Sequence, residues 1–258
     1  MIDLHCHILP GIDDGAADVS ESIEMARQAV VDGIHTVVAT PHSLNDVYYN
    51  PLEKVTDLLK NLREVLAAER LALKICPGSD ARICLGMAER VAAEEALTIN
   101  LNGRYILAEF PSQVIPAESR NELFKLKLNN ITPIITHPER NLVFQNRLDF
   151  LYELVEMGSL IQITAMSVTG ELGEAAMACA HELLKRRLVH VIASDAHSSR
   201  HRPPILSQAV EAAAHVIGDE KTARAMVTDW PAAILAGESF AVPEPRRRIE
   251  RKWWKVFG

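Results

Sequence analysis

The 258-residue chain has no apolar stretch near the roughly 20 residues that a helix needs to cross a bilayer. It also lacks a surplus of positive charge. Thirty-four acids against 27 bases give a formal charge of −7, which argues against a protein that tracks a nucleic-acid backbone. Cysteine is sparse and scattered: Cys6, Cys76, Cys84 and Cys179 show no paired spacing, so neither a disulfide framework nor a structural zinc knuckle is expected. The N-terminus opens on the strand-like Met1-Ile2-Asp3-Leu4-His5 where a secretory signal would place basic and then apolar residues, so a cytoplasmic location is expected. Internal repeats and low-complexity linkers are also missing before the final stretch. With 48% hydrophobic and 24% charged residues, the composition suits one soluble domain with one sizeable core.

What is present is an alternation of short β-branched runs with longer helical patterns. Seven strands are predicted, at Ile2-His7, Thr36-Thr40, Leu73-Pro77, Tyr105-Phe110, Pro133-His137, Leu160-Thr164 and Val189-Ser194. A first helix is opened by Asp18 with Glu21 three residues on, a capping-box pattern. Further helices are predicted over Leu52-Glu69, Leu85-Glu95, Ala117-Leu128, Arg147-Met157 and Glu171-Arg187. Val- and Ile-rich strands each followed by a helix imply a parallel sheet under a helical layer. The right-handed crossover rule leaves a closed barrel or a doubly wound sheet. The strand ends decide between them: His5 and His7, His42, Asp80, Glu109, His137, Asp195 and His197 all fall there, and a barrel brings such ends onto one face.

Histidines at i and i+2 on a strand point to one side, so His5 and His7 form a ligand pair, with Leu4 and Cys6 facing the other way. An isolated pair of this kind arises by chance. Its company changes the reading: Thr40-Pro41-His42, His137-Pro138-Glu139-Arg140 and Ser194-Asp195-Ala196-His197 each follow a strand. Imidazole and carboxylate donors without thiolates suit Mn²⁺, Fe²⁺ or Zn²⁺, and their number exceeds the needs of one tetrahedral ion. Two or three ions with bridging carboxylates are therefore expected, and such a cluster points to hydrolysis. Arg140 and Arg202 lie close by in sequence, and guanidinium forks match phosphate oxygens, so phosphoester hydrolysis fits better than amide hydrolysis. Two Cys-x₅-Arg spacings, Cys76 to Arg82 and Cys84 to Arg90, read as coincidences because Pro77 removes a donor and Asp80 puts an anion where a phosphate would sit. His35, His181, His190 and His215 read as packed or surface residues, and Tyr48, Tyr49 and Asn50 as a substrate entrance or as turn chemistry before Pro51.

The opening Ile2-Asp3-Leu4-His5-Cys6-His7 with Asp13-Asp14-Gly15, the Thr-Pro-His, the His-Pro-Glu-Arg and the Ala-Ser-Asp-Ala-His blocks resemble the PHP (polymerase and histidinol phosphatase) superfamily. More closely, they are similar to the bacterial manganese-dependent protein-tyrosine phosphatases of capsule and exopolysaccharide loci, from Met1 to about Gly237. The resemblance implies an α/β fold, a distorted (β/α)₇ TIM-like barrel holding three metal ions, manganese first among them. It also implies hydrolysis of phosphotyrosine on a membrane-associated tyrosine autokinase by attack of a metal-bridging hydroxide. Position by position, His5, His7 and Asp195 would hold one ion and share Asp80 with a second. Glu109 and His137 would complete the second, and Asp14, His42 and His197 would hold the third, with Asp13 the substitute for Asp14. Arg140 and Arg202 would grip phosphate, and His201 is a candidate proton donor. One position departs from the pattern: Asp80 stands where relatives usually carry a bridging Glu. The alternative function is hydrolysis of a small phosphomonoester such as histidinol phosphate on the same ligand set.

The domain is drawn over 1–240, and residues 241–258 form a tail of different composition. From Arg246 onward it carries Arg246, Arg247, Arg248, Arg251, Lys252 and Lys255 against the single acid Glu250, with Trp253, Trp254 and Phe257. Cations with interfacial aromatics suit the anionic inner membrane surface, so peripheral membrane contact near a kinase substrate is expected, against the alternative of a solvated or self-packed tail.

Overall fold

Each of the seven predicted strands forms, and all pair in parallel, in a computed structural model that describes residues 1–247. They are β1 (Ile2–Cys6), β2 (Thr36–Ala39), β4 (Lys74–Pro77), β6 (Tyr105–Glu109), β7 (Thr132–Thr136), β8 (Leu160–Thr164) and β9 (Val191–Ala193). Two short strands are added, β3 (His42–Ser43) and β5 (Asp80–Arg82). They arise because two strand lines bend. β2 resumes as β3 after Thr40-Pro41, where proline has no N–H for a ladder, and β4 resumes as β5 after Gly78-Ser79. The bend at Gly78 is tight, since a Cβ there would lie 2.7 Å from Val38 Cγ1. The break divides the pairing into one sheet ordered β1-β2-β4 and another ordered β3-β5-β6-β7-β8-β9.

The sheets meet again on the other side. A single parallel bridge joins Cys6 to Ala196, flanked by His7 N–H donating to Ala196 O (2.8 Å) and Asp195 N–H donating to His5 O (2.8 Å). The seven strand lines thus return to their start through two joints rather than through one continuous ladder. That is the distorted α/β barrel expected, in one domain.

Helices cover the outside. Val19–Val31, Leu52–Ala68, Ser119–Leu128 and Leu148–Glu156 stand where helices are predicted. Met87–Ala92 and Glu174–Lys185 are shorter than expected at their starts, because Gly86 (φ 77°) and Gly173 (φ 97°) precede them. Leu52–Ala68 shows how the layer forms: Val55, Leu59, Leu62 and Leu66 recur at helical spacing and are all buried. Four helices, Ala165–Thr169, Ser207–Ile217, Glu220–Ala225 and Asp229–Ala236, stand outside the predicted set. Among the described residues no helix is long and apolar enough to cross a membrane.

One expectation about β1 is corrected. Its register slips between Asp3 and Cys6, so Leu4 and Cys6 do not share a face. Leu4 packs with Val38, Cys76, Leu107, Ile134 and Val191, whereas Cys6 joins the larger cluster under the helices. Asp80, Leu107 and Ile134 are in register, so this smaller cluster lies on the face that carries Asp80 and floors the barrel below it.

Past residue 240 the chain stays on the body: Val242 packs against the core, Arg246 N–H donates to Arg186 O (2.7 Å), and the Arg247 guanidinium sits 5.4 Å above the Tyr152 ring. Arg248, Arg251, Lys252, Trp253, Trp254, Lys255 and Phe257, on which the membrane expectation rests, lie outside the described residues.

His190, just before β9, is buried and accepts the Ile161 N–H at Nδ1 (3.1 Å). Burial pushes its pKa down from 6.5 to about 4. The unfolded chain takes up the proton first, so this contribution to stability is present at neutral pH and is lost as pH falls through the window between those values. Between pH 7 and 5 the stability advantage of wild type over His190→Gln is expected to shrink by about 2 kcal/mol in urea titrations.

Candidate metal centre

The first two candidate ligands are aimed by groups behind them. His5 Nδ1 lies 2.9 Å from Gln162 Oε1, and His7 Nδ1 lies 2.7 Å from Asp13 Oδ2. Both partners are acceptors, so each ring carries its proton on Nδ1 and turns the Nε2 lone pair inward. Those two Nε2 atoms stand 3.2 Å apart.

Asp13 and Asp14 divide their labour. Besides His7, Asp13 accepts the backbone N–H of Gly15 (3.0 Å) and of His42 (3.0 Å), which fastens the loop after β1 to the start of β3. Asp14 faces the centre, with Oδ1 3.4 Å from His42 Nε2 and 3.6 Å from His197 Nε2. Gly15 is dictated by space, since a Cβ there would sit 2.2 Å from His7 O.

Asp80 occupies the middle. Its Oδ1 accepts from Thr136 Oγ1 (3.2 Å), while Oδ2 lies 3.5 Å from His42 Nδ1, 3.6 Å from His5 Nε2 and 3.9 Å from His137 Nε2. Glu109 lies 3.9 Å from both His42 and His137. Asp195 approaches from the other side, its Oδ1 3.4 Å from His5 Nε2, 3.6 Å from His7 Nε2 and 3.7 Å from His197 Nδ1. His137 (φ 33°) and Asp195 (φ 51°) are left-handed without being glycine, a strain of about 1 kcal/mol or more that turns each side chain out of its strand line into the centre.

The arginines close the cluster. Arg140 Nη1 and Arg202 Nη2 both donate to Asp195 Oδ2, the latter at 2.5 Å. Arg202 Nε is buried without a partner. His201 is exposed, and its backbone N–H serves the turn that holds Arg202.

The electrostatics follow from burial and crowding. Burial lowers His5 to about 4 against the pull of Asp195 and Asp80, and burial with repulsion from His7 lowers His197 to about 3. Both rings are neutral donors at pH 7. Burial opposes charge on Asp195 as well, but His5, His137 and the two arginines hold it far below the usual carboxylate range. His42 is raised to about 11, because Asp14 and Asp80 outweigh the desolvation of its charged form.

All nine predicted ligands therefore converge, and the arginines meet them at Asp195. Ligand-type atoms lie within 4.8 Å of one another in three groups: His7, Asp14, His42 and His197; His5, His7 and Asp80; and His42, Asp80 and Glu109. Asp80 Oδ2 and His42 Nδ1 are buried without hydrogen-bond partners, and the Nε2 atoms of His5 and His7 lie 3.2 Å apart. Such orphaned donors suit hard or borderline divalent cations. Sequence reading missed Gln162, whose signal is an amide set between Ile161 and Ile163 on a buried strand, and Arg82, which binds Glu109 (2.8 Å). It quoted Glu139 without giving it work. Glu139 accepts Thr164 N–H (2.9 Å) and Ser167 Oγ–H (2.7 Å), tying the His137–Arg140 turn to the end of β8.

The cysteine coincidences are resolved against a nucleophile. Cys76 is buried in the barrel floor, and burial pushes its thiol and that of Cys84 up, away from the thiolate form that attacks. Of the loop after β3, Asn50 is structural, bridging Ile12 O and His42 O, whereas the half-buried Tyr48 ring lies nearly parallel to His42 (13°, centroids 5.9 Å apart).

A family model for capsular polysaccharide synthesis proteins, CpsB/CapC, matches residues 1–236. The chain belongs to that family. Among curated CpsB/CapC relatives, the tyrosine-protein phosphatase YwqE of Bacillus subtilis is 36% identical over 258 residues, which is 100% of this chain and 99% of YwqE. The tyrosine-protein phosphatase CpsB of Streptococcus pneumoniae is 31% identical over 240 residues, covering 91% and 98%. A crystal structure described as YwqE and CpsB, metal-dependent tyrosine phosphatases, superposes with a TM-score of 0.91 at 36% identity over 96% of this chain and 100% of the other. A histidinol phosphate phosphatase from Lactococcus lactis shares the fold, with a TM-score of 0.53 at 13% identity over 85% and 93%.

Because Gly15 lies against His7, Gly15→Ala must push the Asp13-Asp14 loop off β1. The variant is expected to bind fewer divalent ions per chain by atomic absorption and to lose about 1–3 kcal/mol of stability in urea titrations.

Proposed function

We propose that this chain is a metal-dependent protein-tyrosine phosphatase. The observation that carries the reading is Asp195: one oxygen faces His5, His7 and His197, and the other receives Arg140 and Arg202. Arginines and candidate ligand groups thus share one carboxylate, so a phosphoryl group held by Arg140 and Arg202 would lie beside the residues that would hold the ions.

His5, His7 and Asp195 would hold one ion, Asp80 would be shared with a second held by Glu109 and His137, and Asp14, His42 and His197 would hold the third. Bound divalent ions supply Lewis acidity toward phosphoryl oxygens and acidify a water. The chain's own residues do the rest. Neutral His5 and His197 stand ready as donors without first shedding a proton. Each guanidinium spends only part of its five-donor fork on Asp195, and the unpartnered Nε of Arg202 is free for a phosphate oxygen. Those donors stabilise charge on the equatorial oxygens as the ester bond breaks.

Tyr48 gives the site an aromatic wall beside His42, suited to a phenyl ring. A phenol ionises near pH ~10, so it leaves without protonation far more readily than an alkoxide. The substrate is then a phosphotyrosine protein, and a membrane-associated tyrosine autokinase is the proposed partner. Manganese is the proposed ion, and the basic aromatic tail is the proposed membrane contact.

The test is hydrolysis of a phosphotyrosine peptide after chelation and reloading with Mn²⁺, Fe²⁺ or Zn²⁺, with phosphoserine peptide and histidinol phosphate alongside. Loss on chelation, recovery led by Mn²⁺, and an Arg202→Ala variant down about 10²-fold in kcat/KM are expected. Recovery on histidinol phosphate alone would move the function to small-molecule metabolism.

A further inference from the structure

Helix Val19–Val31 and its C-cap present Glu21, Gln28 and Asp32, spaced by seven and four. At 3.6 residues per turn they fall within about 20° of one line. All three reach the segment that carries His197 and Arg202. Glu21 Oε1 accepts the N–H of Ser199 (2.6 Å), and Gln28 Nε2 donates to the carbonyl of Ser199 (2.9 Å), so both polar atoms of that buried residue's backbone are gripped from one helix. Asp32 accepts the N–H groups of Leu206 (2.6 Å) and Ser207 (3.1 Å) and the Ser207 hydroxyl, capping helix Ser207–Ile217 from outside.

The loop is thus pinned at both ends, and between the pins it closes on itself. Arg202 O accepts His197 N–H (3.0 Å) and Ser198 N–H (3.2 Å), while Ser198 Oγ accepts the N–H of His201 (3.0 Å) and of Arg202 (3.2 Å). The use made of Glu21 is telling. The sequence assigns it to a capping box, and Asp18 does accept Glu21 N–H (2.9 Å), but the Glu21 carboxylate crosses to Ser199 instead. The same helix follows directly on the loop that holds Asp14, whose Oδ1 lies 3.6 Å from His197 Nε2. One rigid element therefore spaces both halves of that ligand group.

We propose that this helix is a strut that sets the Arg202 loop for phosphate capture, with Glu21, Gln28 and Asp32 as positioning residues. The proposal rests on the phosphatase reading for its consequence but not for its test. In the full metal-loaded chain, Glu21→Ala with Gln28→Ala is expected to weaken inorganic phosphate, measured by calorimetry, about tenfold. KM for an aryl phosphate rises with it, kcat changes less, and hydrogen exchange quickens in residues 199–206 alone. Glu21→Gln keeps an acceptor at the same reach and is expected to bind phosphate as wild type does.

A lowered Tm with unchanged phosphate affinity and unchanged exchange in 199–206 would overturn the proposal, as would equal loss in Glu21→Gln and Glu21→Ala. Absence of aryl phosphate turnover in wild type would overturn the phosphatase reading, while the phosphate and exchange measurements would still decide the strut.

Discussion

Five imidazoles and four carboxylates meet at the C-terminal ends of the strands, most of them removed from water, and the rest of the molecule answers to that crowding. Buried charge is tolerated only where it is paired, hydrogen-bonded or bound to metal. Asp195 therefore collects two guanidinium groups and three imidazole neighbours, and His5 and His7 lean on Gln162 and Asp13. The positive φ angles of His137 and Asp195 belong to the same account, because a regular strand exit would send those side chains elsewhere. Among the positive-φ residues other than glycine, these two stand at strand ends and carry candidate ligands, so the backbone there is bent toward the site.

The distortion of the barrel has the same origin. A continuous ladder would carry β2 and β4 straight past the centre, whereas the breaks at Thr40-Pro41 and Gly78-Ser79 redirect them, so His42 and Asp80 fall in register on β3 and β5. The joint between β1 and β9 is likewise a single bridge, made at the site itself, where Asp195 N–H donates to His5 O and His7 N–H donates to Ala196 O. Both joints of the ring thus lie beside candidate ligands.

Much of this was legible in the sequence, because runs such as Val37-Val38 and Ile134-Ile135 leave little choice but a buried parallel strand, and because ligands close to strand ends announce a common face. Less visible were features that depend on contacts far apart in the chain. The slip in β1 that separates Leu4 from Cys6 follows from closure against Ala196, which period-two reasoning ignores. Helix Ser207–Ile217 was missed because it has no capping residue of its own, Asp32 supplying that role from another segment. Gln162 stands outside the motif blocks, and Glu139, inside the His-Pro-Glu-Arg block, works through Thr164 and Ser167, which the sequence does not place beside it.

Asp80 shows how local backbone geometry absorbs a departure that sequence reading flags as disruptive. A residue one methylene shorter than the usual Glu should fall short of a bridging position, yet its Oδ2 lies within 3.9 Å of three imidazoles. The reach comes from the main chain. The bend at Gly78 brings β5 inward, and Asp80 N–H donates to Pro41 O (3.1 Å), the carbonyl beside His42. Thr136 then holds Oδ1, which leaves Oδ2 alone to face the centre. Side-chain length and backbone position are exchangeable here, so a longer side chain at residue 80 would have to fold back or displace a histidine.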